Sequence, residues 1–93
     1  MNHHIRLEPL ANRDLGRLRD FLDAVAPDAA KRAARVLREG IKGLAQFPDR
    51  GTAITGDHRE LYLPFGDSGY VIQYRVDPDV VVVARIFRMR EDR

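Results

Sequence analysis

The chain has 93 residues, a length that holds one domain with one small core. Sixteen basic residues against 14 acidic ones give a net charge of +2, so overall charge does not mark a nucleic-acid binder. Cysteine is absent, which excludes disulfides, thiolate catalysis and cysteine-based zinc sites. No apolar run reaches the length of a membrane span, and the first residues lack the apolar stretch of a signal peptide, so a cytoplasmic protein that meets no membrane is expected.

Residues 3–8 read as a short strand with Ile5 and Leu7 on one face. Pro9 suits the first turn of a helix, where its missing N–H costs nothing. From Leu10 to Ala26, Ala11, Leu15, Leu18, Leu22 and Val25 recur at intervals of three and four, one apolar helical stripe. Arg13, Arg17, Arg19 and Asp20 fall on other faces and read as a solvated surface, and Asp14, Asp20, Asp23 and Asp28 are assigned to helix surfaces and ends. Pro27 breaks the pattern, and Asp28 favours the start of a second helix through the dipole. That helix is expected to run to about Gln46, with Ala30, Ala34, Leu37, Ile41 and Leu44 as its stripe and Ala33 beside it. The tight connection at Ala26-Pro27 makes the pair an antiparallel hairpin. Residues 48–57 carry turn chemistry without a period.

The remainder reads as three strands. Residues 58–65 place Leu61, Leu63 and Phe65 on one face and His58, Glu60 and Tyr62 on the other. Gly66-Asp67-Ser68-Gly69 signals a hairpin. Residues 70–76 alternate Tyr70, Ile72, Tyr74 and Val76 with Val71, Gln73 and Arg75. Asp77-Pro78-Asp79 turns the chain into the apolar run 80–87, which suits a central strand. The order is βααβββ, an α+β fold with a helical hairpin packed on one face of a small, mostly antiparallel sheet. The other face then carries Arg75, Arg85 and Arg88 or Arg90.

Fourteen of the 16 basic residues are arginine, whose planar fork holds phosphate or carboxylate bidentately. Arg59, Arg75, Arg85, Arg88, Arg90 and Arg93 are expected near one open surface, paired there with Glu60, Glu91 and Asp92 or engaged with a partner. His3 and His4 point to opposite sides of a strand, so no metal site is expected, and no cofactor motif is present. His58 reads as a solvated histidine. Tyr70 and Tyr74 read as core aromatics with a wet hydroxyl, leaving Tyr62 as the tyrosine with room for a role. Gly-Asp-Ser-Gly at 66–69 resembles a serine-nucleophile tetrapeptide, but no His/Asp pair accompanies it, so it reads as a turn.

Several segments, in order, resemble the RelE/ParE superfamily of toxins from type II toxin–antitoxin systems of bacteria. Ala11 to Leu22 resembles the first helix of that family. Pro27-Asp28-Ala29-Ala30 through Phe47-Pro48-Asp49-Arg50-Gly51 resembles its second helix and Pro-x-x-Gly loop. Arg59-Glu60-Leu61, Tyr70 to Val76, and Arg85 to Glu91 resemble its later strands and basic tail. Arg88 stands where family members often have histidine, and a guanidinium stays protonated, so it is no general base.

The resemblance implies one of two activities. ParE-like members bind and inhibit DNA gyrase; RelE-like members cut mRNA in the ribosomal A site. Gyrase inhibition by a non-enzymatic toxin is taken first. The alternative is a ribosome-dependent endoribonuclease in which Arg59, Arg75, Arg85, Arg88 and Arg90 hold the phosphate and His58, Glu60 or Tyr62 supplies a base. A degenerate antitoxin-binding protein is the third reading. The resemblance also implies a cognate antitoxin in a hetero-oligomeric complex, through which alone operator DNA would be met. Arg13, Arg17, Arg75, Arg85, Arg88 and Arg90 are candidates for partner surfaces, and Leu15, Leu18 and Leu22 are expected in the core.

Overall fold

The computed structural model describes residues 2–89; the expectations placed on Arg90, Glu91, Asp92 and Arg93, and on the Val25 side chain, lie outside what it describes. Strand β1 (His4–Leu7) leads into helix α1 (Pro9–Val25) and helix α2 (Pro27–Gly43). Both helices have proline in the first turn, and only Ala26 separates them. Asp28 sits in the first turn of α2, as the dipole favours. The helix ends at Gly43 rather than near Gln46, since residues 44–46 form a turn instead.

The stretch read as a loop contains a short 3-10 helix (Pro48–Arg50) and a strand, β2 (Thr52–Ala53). β2 escapes a periodicity reading because two residues hold no period; pairing with β3 defines it. Strands β3 (His58–Phe65), β4 (Ser68–Val76) and β5 (Val80–Arg88) follow. Gly66 opens the β3–β4 turn at φ +61°, a conformation only glycine adopts without strain.

The five strands form one sheet in the order β1-β5-β4-β3-β2. β1 runs parallel to β5, and the other pairings are antiparallel. The helices cover one face, as the alternation requires. Leu18, Leu37, Ile41 and Leu44 pack there against Leu61, Leu63, Ile72, Tyr74, Val83 and Ile86. Gly40 gives α2 its close approach to β3, because a Cβ there would lie 2.5 Å from a Leu63 methyl. Within α2 the buried alanines are Ala30 and Ala33, whereas Ala34 is exposed.

β5 does not alternate simply. Gln73 pairs with Arg85 but Tyr74 pairs with Val83, so Ala84 is an extra residue, a β-bulge. The bulge keeps Val81, Val83 and Ile86 on the helix side and turns Val82 and Phe87 to the open face. Arg85 lies opposite Gln73 on the open face, but Arg88 lies opposite Tyr70 on the helix side. The expected placement of Arg88 on the open face is therefore corrected.

Candidate functional site

β1 pairs with β5 only along Val80–Val83, so the outer edge of β5 beyond Val83 has no strand beside it. α1 supplies its partners from side chains. Asp14 is 4% exposed and accepts from the Ile86 N–H at 2.8 Å. Arg85 grips the same carboxylate bidentately, Nε at 2.8 Å and an Nη at 3.1 Å, and Arg17 adds a 3.3 Å bond. Arg17 also reaches the Ile86 carbonyl at 3.5 Å. Burial alone pushes the Asp14 carboxyl up, but the bonds from Arg85, Ile86 and Arg17 outweigh it and hold the pKa below the ordinary value. Asp14 is therefore not the solvated helix-surface residue that the sequence suggests, whereas Arg17 is exposed as expected and reaches back to Asp14. The missing signal was a partner 71 residues away. Two aromatic contacts extend the seam, Arg85 4.6 Å over the Phe87 ring and Arg88 4.4 Å over Phe21.

On the open face, β3 presents His58, Glu60 and Tyr62 opposite Arg75, Gln73 and Val71 of β4. Glu60 accepts from Gln73 at 2.7 Å, and the Tyr62 hydroxyl donates to the Ser68 carbonyl at 3.0 Å. Arg75 forms a bidentate pair with Asp77 at 2.8 and 3.0 Å, and hydrogen bonding from Arg75 holds Asp77 below its usual carboxylate value. The Asp77 carboxylate, two residues on, is a partner that the sequence reading does not foresee.

Arg59 faces the helix side opposite Tyr74 and serves the adjacent loop. Its guanidinium donates to the carbonyls of Gly51 at 2.7 Å and Asp49 at 3.3 Å. The Tyr74 hydroxyl is buried, donates to the Pro48 carbonyl at 2.7 Å and accepts from the Gly51 N–H at 2.8 Å. Burial raises its pKa, so it remains a donor. It is not the wet hydroxyl expected.

An apolar groove of about 490 Å³ lies between α1, α2 and β1. Leu15, Leu22, Ala34 and Leu37 are among its lining residues, and Arg19, Arg38 and Lys42 contribute cations. Leu18 belongs to the core as expected, but Leu15 and Leu22 are only partly buried and line this groove. A helical stripe wider than the sheet can cover leaves such residues for another occupant. The structure thus distributes the candidate arginines. Arg13 is exposed on α1, Arg17 and Arg85 meet at Asp14, Arg75 pairs with Asp77, Arg59 braces the loop and Arg88 lies over Phe21.

Residues 5–93 match the family described as the ParE toxin of type II toxin–antitoxin system, parDE. The chain is 47% identical over 89 residues to Toxin RelE3 of Caulobacter vibrioides, covering 96% of this chain and 97% of the relative. Toxin RelE1 of the same organism is 39% identical, with 89% of each chain covered. Among solved structures, the chromosomal ParDE toxin–antitoxin system from P. aeruginosa superposes with a TM-score of 0.78 at 22% identity, covering 95% of this chain and 97% of that one. The toxin–antitoxin complex RelBE2 from Mycobacterium tuberculosis gives 0.63 at 20%, covering 95% and 99%. The helical hairpin on a five-stranded sheet is their shared fold, and with the match across residues 5–93 it places this chain in the ParE toxin family of the RelE/ParE superfamily, the toxins of type II toxin–antitoxin systems.

Proposed function

We propose that this toxin arrests growth by binding DNA gyrase and is silenced by an antitoxin segment seated in the apolar groove. One observation carries the choice of a binding toxin over a nuclease. Among the described residues, three arginines of the candidate phosphate site are engaged by the chain's own groups and divided between opposite faces: Arg75 with Asp77, Arg85 with Asp14, Arg88 over Phe21. A phosphate drawing on Arg75 and Arg85 would compete with two bidentate ion pairs for their guanidinium groups. The test is a supercoiling assay with purified gyrase, plasmid DNA and ATP. Loss of supercoiling at modest toxin excess is expected; folded, growth-arresting protein without effect overturns the gyrase reading.

The groove suits an amphipathic helix whose apolar side fills the space over Ala34 and Leu15 and whose acidic flank meets Arg19, Arg38 and Lys42. The relatives of this fold in solved structures are toxin–antitoxin complexes, which supports an antitoxin as the occupant. Ala34→Glu puts a like charge against that flank and blocks the floor without touching the core. The antitoxin is expected to stop co-purifying with this variant.

A second reading, a RelE-like ribosome-dependent endoribonuclease, is favoured by the names of the curated relatives and by His58, Glu60 and Tyr62 sharing one face of β3. A general base contributes about 10²–10⁴-fold. Under this reading Glu60→Gln with His58→Ala lowers ribosome-dependent mRNA cleavage by that factor, and unchanged cleavage removes these residues from the site.

A further inference from the structure

Charge is spread unevenly along this chain. Helix α2 holds Lys31, Arg32, Arg35, Arg38 and Lys42 but only two carboxylates, Asp28 and Glu39, a local charge of +3. The other 76 residues carry 11 cations and 12 carboxylates, so the net charge of +2 conceals a basic helix on a slightly acidic remainder. Lys31, Arg35, Arg38 and Lys42 follow at steps of four, three and four, which sets them in one row about 16 Å long. Arg32, Asp28 and Glu39 lie beside that row. All five cations are exposed. Arg17, Arg59, Arg75, Arg85 and Arg88 are held by carboxylates, carbonyls or a ring. By contrast, no ion pair or side-chain hydrogen bond occupies any of the five on α2 among the described residues. Lys31 with Arg35, and Arg38 with Lys42, are like charges one turn apart, an arrangement that costs the helix stability.

We infer that the row along α2 binds the phosphate backbone of duplex DNA, a contact that does not run through an antitoxin. Unpaired, exposed cations in line on a rigid helix are the footprint of polyanion binding. Arg38 and Lys42 also border the apolar groove, but Lys31, Arg32 and Arg35 do not line it. Beside those three no large apolar side chain of α2 is exposed, whereas a protein interface centres on apolar and aromatic groups and is poor in lysine. A single strand is bound by stacking its bases on aromatic rings, and α2 has none. A duplex offers its phosphates in a regular line. The choice of DNA over RNA rests on the gyrase reading, because an enzyme that works on duplex DNA brings phosphates close to a protein docked on it. An antitoxin seated over Arg38 and Lys42 covers one end of the row, so silencing and DNA contact compete.

The test titrates purified full-length toxin into a short fluorescent DNA duplex, without gyrase, over a range of salt. Affinity is expected to fall with salt at a logarithmic slope of about −3 to −4, the counterions of about four phosphates. Lys31→Gln with Arg35→Gln keeps good helix formers and is expected to weaken binding about tenfold and to bring the slope to about −2. Asn12→Glu with Thr55→Glu makes the same change in net charge at exposed positions elsewhere and is expected to keep the parent slope. No binding by the folded parent at low salt overturns the inference. So does an equal loss in the two double variants, which would reduce the effect to net charge. Tighter binding of an RNA duplex of the same length overturns DNA as the ligand. Lost antitoxin affinity with DNA binding intact in Lys31→Gln, Arg35→Gln would assign the row to the antitoxin and overturn the inference as well. Gyrase inhibition by the parent is measured in parallel. Inhibition without DNA binding removes this inference and leaves the gyrase reading standing; DNA binding without inhibition removes the gyrase reading while the α2 contact stands. Should a double variant misfold, Arg35→Gln alone decides: the slope is expected to shrink by about one, and an unchanged slope refutes the contact.

Discussion

The sheet is tied to the rest of the chain along two seams made of different chemistry. Where α1 meets β5, the ties are ionic: Asp14 collects Arg85, Arg17 and the Ile86 N–H. Where the loop after α2 meets β3 and β4, the central ties are neutral and depend on fit: the Tyr74 hydroxyl sits between the Pro48 carbonyl and the Gly51 N–H. The ionic seam buries one charge against arginines that keep a face in water. It tolerates loose packing but needs every partner. At the Tyr74 hydroxyl the neutral seam has no charge to strand, since Arg59 beside it keeps part of its side chain in water, but it leaves no room. A Cβ at Gly51 would lie 2.6 Å from the Tyr74 hydroxyl and 2.7 Å from the Glu60 carbonyl oxygen. One seam therefore fails by losing a charge and the other by gaining an atom.

That contrast can be broken experimentally. Asp14→Ala strips two guanidinium groups of their shared carboxylate and leaves the Ile86 N–H without its acceptor. It is expected to destabilise the fold by about 3 kcal/mol, the low end for breaking a buried ion pair because the arginines are partly exposed. Chemical denaturation measures it, and a loss under 1 kcal/mol would make the seam incidental. Gly51→Ala forces the loop off Tyr74 and is expected to cost about 2 kcal/mol through overpacking, with faster amide exchange in residues 47–51 and none at β5. Tyr74→Phe keeps the ring and removes the hydroxyl, for an expected loss of about 1–2 kcal/mol.

The smallest effect separates the seams by pH. The folded pKa of Asp14 lies below its unfolded value, so its contribution is complete above the unfolded pKa of about 4 and disappears as pH falls through the folded value. Asp77 has the same sign. Parent stability is expected to fall on acidification below about pH 4. Asp14→Asn is expected to flatten that decline, and Tyr74→Phe to leave its slope unchanged. A parallel decline in the parent and Asp14→Asn would remove Asp14 from the acid response.

The same contrast explains what the sequence discloses. Strict period-two alternation makes β4 plain, and proline ahead of a three-four stripe fixes the starts of both helices. Local order of this kind writes itself into neighbouring residues. The ties between seams do not: Asp14 looks like any exposed helical carboxylate until Arg85, 71 positions on, comes beside it. Tyr74 betrays nothing of Pro48 and Gly51, 26 and 23 positions earlier. The groove was legible only as a surplus of leucine on α1. The arginine cluster was legible by count but not by placement, since composition does not say which carboxylate each guanidinium finds.

The bulge at Ala84 has a consequence for length as well as for direction. Because Val83 and Arg85 already pair with consecutive residues of β4, the strand carries one residue more than its partner uses. Loss of a residue there is expected to be absorbed without turning Arg85, Ile86 or Phe87 over. Gain of one must make a second bulge or invert all three. β5 thus has slack in one direction only, and relatives are expected to vary in length at this point by shortening.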